Sequence, residues 1–108
     1  MPQYVILMNH SADTCPSASE RVRKWTEEAL GDRLPKACQE HGVNVTLGPL
    51  HLDPSHRTLT IAEAPSIEAV NRALQEGGLI HFNDIETFSA TPVPELMGRM
   101  ANVPRIFD

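Results

Sequence analysis

Aromatic side chains are scarce in this chain: one Tyr, one Trp and three Phe make up 5% of its 108 residues. A core without rings must be built from Val, Ile, Leu, Ala and Met, and so short a chain leaves much apolar surface uncovered, which favours self-association. Basic clusters are also missing. The longest is Arg21, Arg23 and Lys24, in a chain of formal charge −5, which excludes an electrostatic footprint for nucleic acid or for an anionic membrane surface. The longest apolar run, residues 4–8, falls far short of the roughly 20 residues that span a bilayer. The N-terminus has neither the basic region nor the apolar stretch of a signal peptide, so a cytoplasmic location is expected. Cysteine is limited to Cys15 and Cys38, outside any CxxC spacing, and in a reducing compartment both are expected as free thiols. No repeat, low-complexity tract or linker divides the chain. Its length fits one domain, residues 1–108, with a core over about 3–91 and a tail over 92–108.

What is present is an ordered series of short periodic segments. Residues 3–10 read as a strand in which both alternating sets, Tyr4/Ile6/Met8 and Val5/Leu7, are apolar, so the strand is buried on both faces. A polar loop follows, and then Ser17 with Glu20 three residues later forms a capping-box start for a helix. Val22, Trp25 and Ala29, then Leu30, Leu34, Cys38 and His41, continue at helical spacing to Gly42. Pro35 interrupts this run, and its ring would press on the carbonyl of Gly31, which predicts a kink or two consecutive helices. Residues 43–52 and 58–62 alternate as strands around the turn chemistry of Asp53, Pro54 and Ser55, which predicts a hairpin. Gly48-Pro49 within its first arm marks an edge strand carrying a bulge, because proline cannot donate to a sheet ladder. Pro65-Ser66 opens a second helix with Ile67, Val70 and Leu74 on one face, closed by Gly77-Gly78. The last strand is expected over 85–90.

This order is that of an α+β, ferredoxin-like βαββαβ fold: a four-stranded antiparallel sheet with two helices on one face. The second face of strand 1 is apolar and would be left in water. Pairing two sheets face to face removes that patch, so a homodimer or higher homo-oligomer is expected.

The order of elements, the length and the doubly apolar first strand resemble the dimeric α/β-barrel superfamily, which includes stress-responsive barrel proteins and antibiotic-biosynthesis-type monooxygenases. Cys15-Pro16-Ser17, the segment from Gly78 through Leu79, Ile80, His81 and Phe82 to Asn83, and a tail closing on Pro104, Arg105, Ile106 and Phe107 are similar to small single-domain members of that superfamily. The superfamily hosts heme degraders, cofactor-free oxygenases, isomerases and metal binders. The resemblance therefore implies the fold and leaves the chemistry open.

Five histidines give the chain its candidate chemistry. His10 continues the Tyr4/Ile6/Met8 set at the end of strand 1, five residues before Cys15. The pair suits two ligands of a transition-metal ion, or His10 suits a general base at the mouth of a pocket; the alternative is a strand-end histidine bonded to a loop carbonyl. Cys15 precedes a helix start, where unpaired N–H groups favour a thiolate, although an isolated cysteine also serves as a small buried hydrophobe. Cys38 and His41 share a helix face, where both read as structural. His51 and His56 flank the hairpin turn and can approach each other across it, as metal ligands or as solvated turn residues. His81, beside Phe82, lines a pocket or closes the second helix. Glu86 is expected on the inter-sheet side with Phe88 and with Thr58, Thr60, Asn44 and Thr46, as an acid, base or metal ligand or as a charge that discourages edge pairing.

The leading expectation is a small dimeric barrel that binds a metal ion or small ligand near the end of strand 1, with His10 and Cys15 as ligands and His81 and Glu86 as further candidates. The rival is a cofactor-independent oxygenase or isomerase acting on a small organic substrate. A third reading rests on Pro2, which would become an N-terminal proline amine of tautomerase type if Met1 were removed, and a fourth is an interaction module without a ligand. The tail, with a helical pattern over 95–100, is expected to pack on the body or on the partner.

Overall fold

The computed structural model describes residues 1–107. Its elements are β1 (Gln3–Asn9), α1 (Glu20–Glu28), α2 (Leu34–His41), β2 (Asn44–Leu52), β3 (Arg57–Glu63), α3 (Ile67–Glu76), β4 (Asp84–Ala90) and α4 (Val93–Met100). The strands form one sheet in the order β2-β3-β1-β4, and every neighbouring pair is antiparallel. This is the expected ferredoxin-like α+β arrangement, with β1 and β3 in the centre.

Strand alternation divides the sheet into two unlike faces. Tyr4, Ile6 and Met8 are buried against Ala29, Ala37 and Cys38 from the first helical run and Val70, Ala73 and Leu74 from α3. Burying a side chain of Val or Leu size contributes roughly 1.5–3 kcal/mol, so these few contacts carry much of a marginal fold. Val5 and Leu7 point the other way. The register sets Val5 against Ile61 and Phe88, and Leu7 against Leu59 and Glu86, while Leu47 and Leu50 pair with Ile61 and Leu59 from β2. Among the described residues no helix covers this second face, and Leu47, Leu50 and Phe88 are exposed on it.

That register corrects the expected company of Glu86. Thr58 and Thr60 pair with Met8 and Ile6, and so lie on the helix side, where Thr60 is buried. Glu86 does share a face with Phe88, but its cross-strand neighbour there is Leu7, with Leu59 on the far side of Leu7. The outer face of the sheet is more apolar than the threonines suggested, because β3 turns Thr58 and Thr60 inward and its Leu59/Ile61 set outward.

Residues 20–41 are one long helical run with a wide turn inside it. A π turn over Ala29–Arg33 separates α1 from α2, and the N–H of Leu34 donates to the carbonyl of Ala29, five residues back. Pro35 falls in the first turn of α2, where its missing N–H costs little. The buried stripe steps by four from Leu34 to Cys38 but by five from Ala29 to Leu34, so the extra residue is absorbed in the turn. The cap differs from expectation: Ser19, not Ser17, precedes α1, and its hydroxyl accepts from the N–H of Val22. Pro16 and the turn after Cys15 delay the helix by two residues, freeing Ser17 to bond the Cys15 sulfur instead.

Two glycines are required by geometry. Gly48 has φ +96°, and a Cβ there would lie 2.6 Å from the carbonyl oxygen of Leu59. It sits at the expected irregularity of β2, where the register shifts twice between Val45 and Leu50. Gly78 has φ +82°, and a Cβ would come within 2.9 Å of the Trp25 ring. The described part of the tail adds little to the core: α4 buries none of its residues, although Glu95 and Arg99 border a depression shared with Pro2, Gln3 and Tyr4.

Candidate functional site

The site is built where β1 and β3 end side by side. Continuing the pairing of Asn9 with Arg57 by one residue sets His10 opposite His56. The N–H of His10 donates to the carbonyl of His56 at 3.1 Å, and their rings meet edge to face with centroids 5.2 Å apart. Both side chains project to the helix side, as the alternation of Met8 and Thr58 requires. Cys15 approaches from the loop before α1. One ligand atom from each of His10, Cys15 and His56 lies within 4.8 Å of the other two.

The chain positions Cys15 with local hydrogen bonds. The N–H groups of Ala18 and Ser19 donate to its carbonyl at 2.9 and 3.0 Å, closing the turn, and its Sγ lies 2.9 Å from Ser17 Oγ. The hydroxyl of Ser17 is the main cause that lowers the Cys15 thiol from 9.0 to about 7, followed by the Ser17 backbone N–H and by His10. Nε2 of His10 is buried and has no partner among the described residues. A neutral imidazole needs an acceptor or donor at each nitrogen when buried, so this atom is short of one interaction.

Next to the cluster, and sharing His10 with it, is a cavity of about 80 Å³ lined by Met8, Leu79 and Phe82 on its apolar side and by Thr14, Thr58 and Asn83. Asn83 is held by its side-chain N–H to the carbonyl of Leu79 at 2.8 Å. The hydroxyl of Thr58 is buried and, among the described residues, has no partner.

Of the sequence candidates, the structure thus brings His10 and Cys15 together. His81 stands apart from the cluster, edge on to Trp25 with centroids 5.4 Å apart; it borders a shallow depression that also includes His10. Glu86 lies on the opposite face of the sheet. The approach of His51 to His56 does not occur: His51 turns back on its own hairpin, with Nδ1 2.8 Å from Asp53 and Nε2 2.9 Å from the carbonyl oxygen of Ser55. Cys38 is buried in the core and its thiol is raised by that burial. His41 pairs with Glu76 at 2.6 Å, joining the end of α2 to the end of α3. His56 is the ligand candidate that sequence reasoning misplaced, and the pairing of the first and third strands was the signal that could have found it.

No family model and no curated protein matches the chain. Solved structures do share its fold. A dimeric ferredoxin-like protein from an uncultured marine organism is 14% identical, with a TM-score of 0.50 over 85% of this chain and 94% of that one. The SCO4226 protein of Streptomyces coelicolor A3(2) is 18% identical, with a TM-score of 0.49 over 82% of this chain and 96% of that one. The class defined by strand order and by the likeness to the marine protein is the ferredoxin-like α+β fold. Among the described residues, no helix is long and apolar enough to cross a membrane.

Proposed function

We propose that the protein is a metal-binding homodimer in which His10, Cys15 and His56 hold a divalent first-row transition ion. The observation that carries this reading is the convergence of the three donors within 4.8 Å, with Nε2 of His10 buried and short of a partner. A tetrahedral ion with bonds of about 2.0–2.3 Å holds its ligands roughly 3.3–3.8 Å apart, so the cluster needs to close by only about 1 Å. Two imidazoles and a thiolate suit zinc, copper, nickel or iron rather than magnesium or calcium. A thiol lowered to about 7 loses its proton to such an ion near neutrality. The unpaired Cys15 and Cys38 agree with a reducing, cytoplasmic setting.

The dimer belongs to the same proposal. The uncovered sheet face, with Val5, Leu7, Leu47, Leu50, Leu59, Ile61 and Phe88, is too apolar to be left in water, and a second copy offers the same surface back. One solved protein of this fold is described as dimeric.

Elemental analysis of the purified protein, followed by Co²⁺ titration of the metal-free form, tests the reading. The expected result is one ion per chain with a thiolate-to-metal absorption band, lost in both His10→Ala and His56→Ala. No bound ion and no such band would leave His10 beside its cavity as a general base, the chemistry of a cofactor-independent enzyme.

A further inference from the structure

The His10, Cys15 and His56 group supplies three donors, and among the described residues no fourth His, Cys, Asp or Glu joins it. Four-coordinate sites with three protein ligands keep a position open for an exchangeable group, whereas sites that serve only structure close all four. Charge indicates what that group is. A divalent ion bound by one thiolate and two neutral imidazoles retains one positive charge in a partly buried site, and a monoanion neutralises it.

Space and hydrogen bonding set its size and orientation. The cavity that shares His10 with the cluster holds about 80 Å³, near half the ~150 Å³ that accepts a benzene ring. That volume suits a ligand of three or four heavy atoms. Threonines 14, 26 and 58 all reach its walls, and of their hydroxyls that of Thr58 is buried and without a partner among the described residues. A buried O–H left unpaired is costly, and an anion seated in the cavity would accept from it.

We infer that the metal-loaded site takes a small monoanion of azide or short-chain carboxylate size as its fourth ligand, seated in the cavity beside His10 and hydrogen-bonded by Thr58. This rests on the metal reading above, and the two fail differently. In the Co²⁺-loaded protein, azide is expected to shift the d–d absorption saturably. Thr58→Val should bind Co²⁺ as tightly as the parent chain but azide about tenfold more weakly, the loss of one hydrogen bond to a charged group; Thr58→Ser should restore it. If Co²⁺ never binds, both readings fall. If Co²⁺ binds and its spectrum ignores azide, or if Thr58→Val binds azide unchanged, the metal reading stands and the anion site is overturned.

Discussion

His10 and His56 lie opposite each other across the β1–β3 pair, joined by a 3.1 Å backbone hydrogen bond and by edge-to-face rings 5.2 Å apart. Neighbours in the sheet, they are 46 residues apart in the chain, so the metal proposal depends on strand register as much as on residue type. Slipping either strand by one residue would turn one of the two imidazoles to the other face of the sheet. His56→Ala is therefore expected to weaken metal binding at least as much as loss of an outer-shell partner, on the order of a hundredfold. His51→Ala should leave it unchanged. Competition against a chromophoric chelator reads both.

Cys15 should react with iodoacetamide at a rate that rises with pH through a midpoint of about 7. The sign follows from the lowered value: below it the thiol is protonated and slow, above it the thiolate attacks. Ser17→Ala removes the leading cause and should move the midpoint up, towards 9.0. Cys38, buried and raised, should label only at higher pH or on unfolding. Metal affinity is expected to fall as pH drops through the Cys15 midpoint, because protons then compete for the same sulfur.

The cap of α1 separates two serines that look alike in sequence. Ser19→Ala removes the acceptor for the Val22 N–H and should cost about 1 kcal/mol in urea unfolding. Ser17→Ala should cost far less, since its hydroxyl bonds a side chain and not the helix. Equal losses in the two variants would contradict the assignment.

Gly78→Ala combines an unfavourable φ with a Cβ 2.9 Å from Trp25. Expected destabilisation is about 2 kcal/mol or more, and the lone tryptophan should report it by fluorescence. Trp25→Phe keeps the ring but loses the Nε1–H to Gly78 carbonyl bond of 2.7 Å, at a cost of about 1 kcal/mol.

On the uncovered sheet face, Phe88 is 49% exposed in the single chain and lies in register with Val5. Phe88→Arg should turn a dimer into a monomer by sedimentation equilibrium, since each copy would meet the other's new charge. A parent protein that is already monomeric at micromolar concentration would remove the dimer from the proposal.

The parts of the fold that could be read from sequence are those set by local periodicity. Two-sided apolarity of 4–8, the Asp53-Pro54 turn, Ser66 before Ile67 and the glycine pair at 77–78 each fix an element with nearby residues. His10 and Cys15 were readable as a pair because a strand end and a helix start bring them together within five residues. His56 was not, because its partner is set by a long-range pairing, while His51 offered a closer and misleading match across the turn. The threonines of β3 misled for a related reason: alternation shows that two faces differ but not which one meets the helices. The tail carried helical spacing without any signal for what it packs on.

The π turn over Ala29–Arg33 makes chain length and proline content depend on each other. Nothing lies within 4 Å of a Cβ built at Gly31, so a side chain is tolerated there, and removing the residue altogether would turn the widened loop back into an ordinary helical turn. Both flanks would keep their faces, but Pro35 would then sit in a regular helix against the carbonyl four residues back. A one-residue deletion at Gly31 is thus expected to be damaging alone and mild together with Pro35→Ala, the signature of an insertion and a proline that compensate each other.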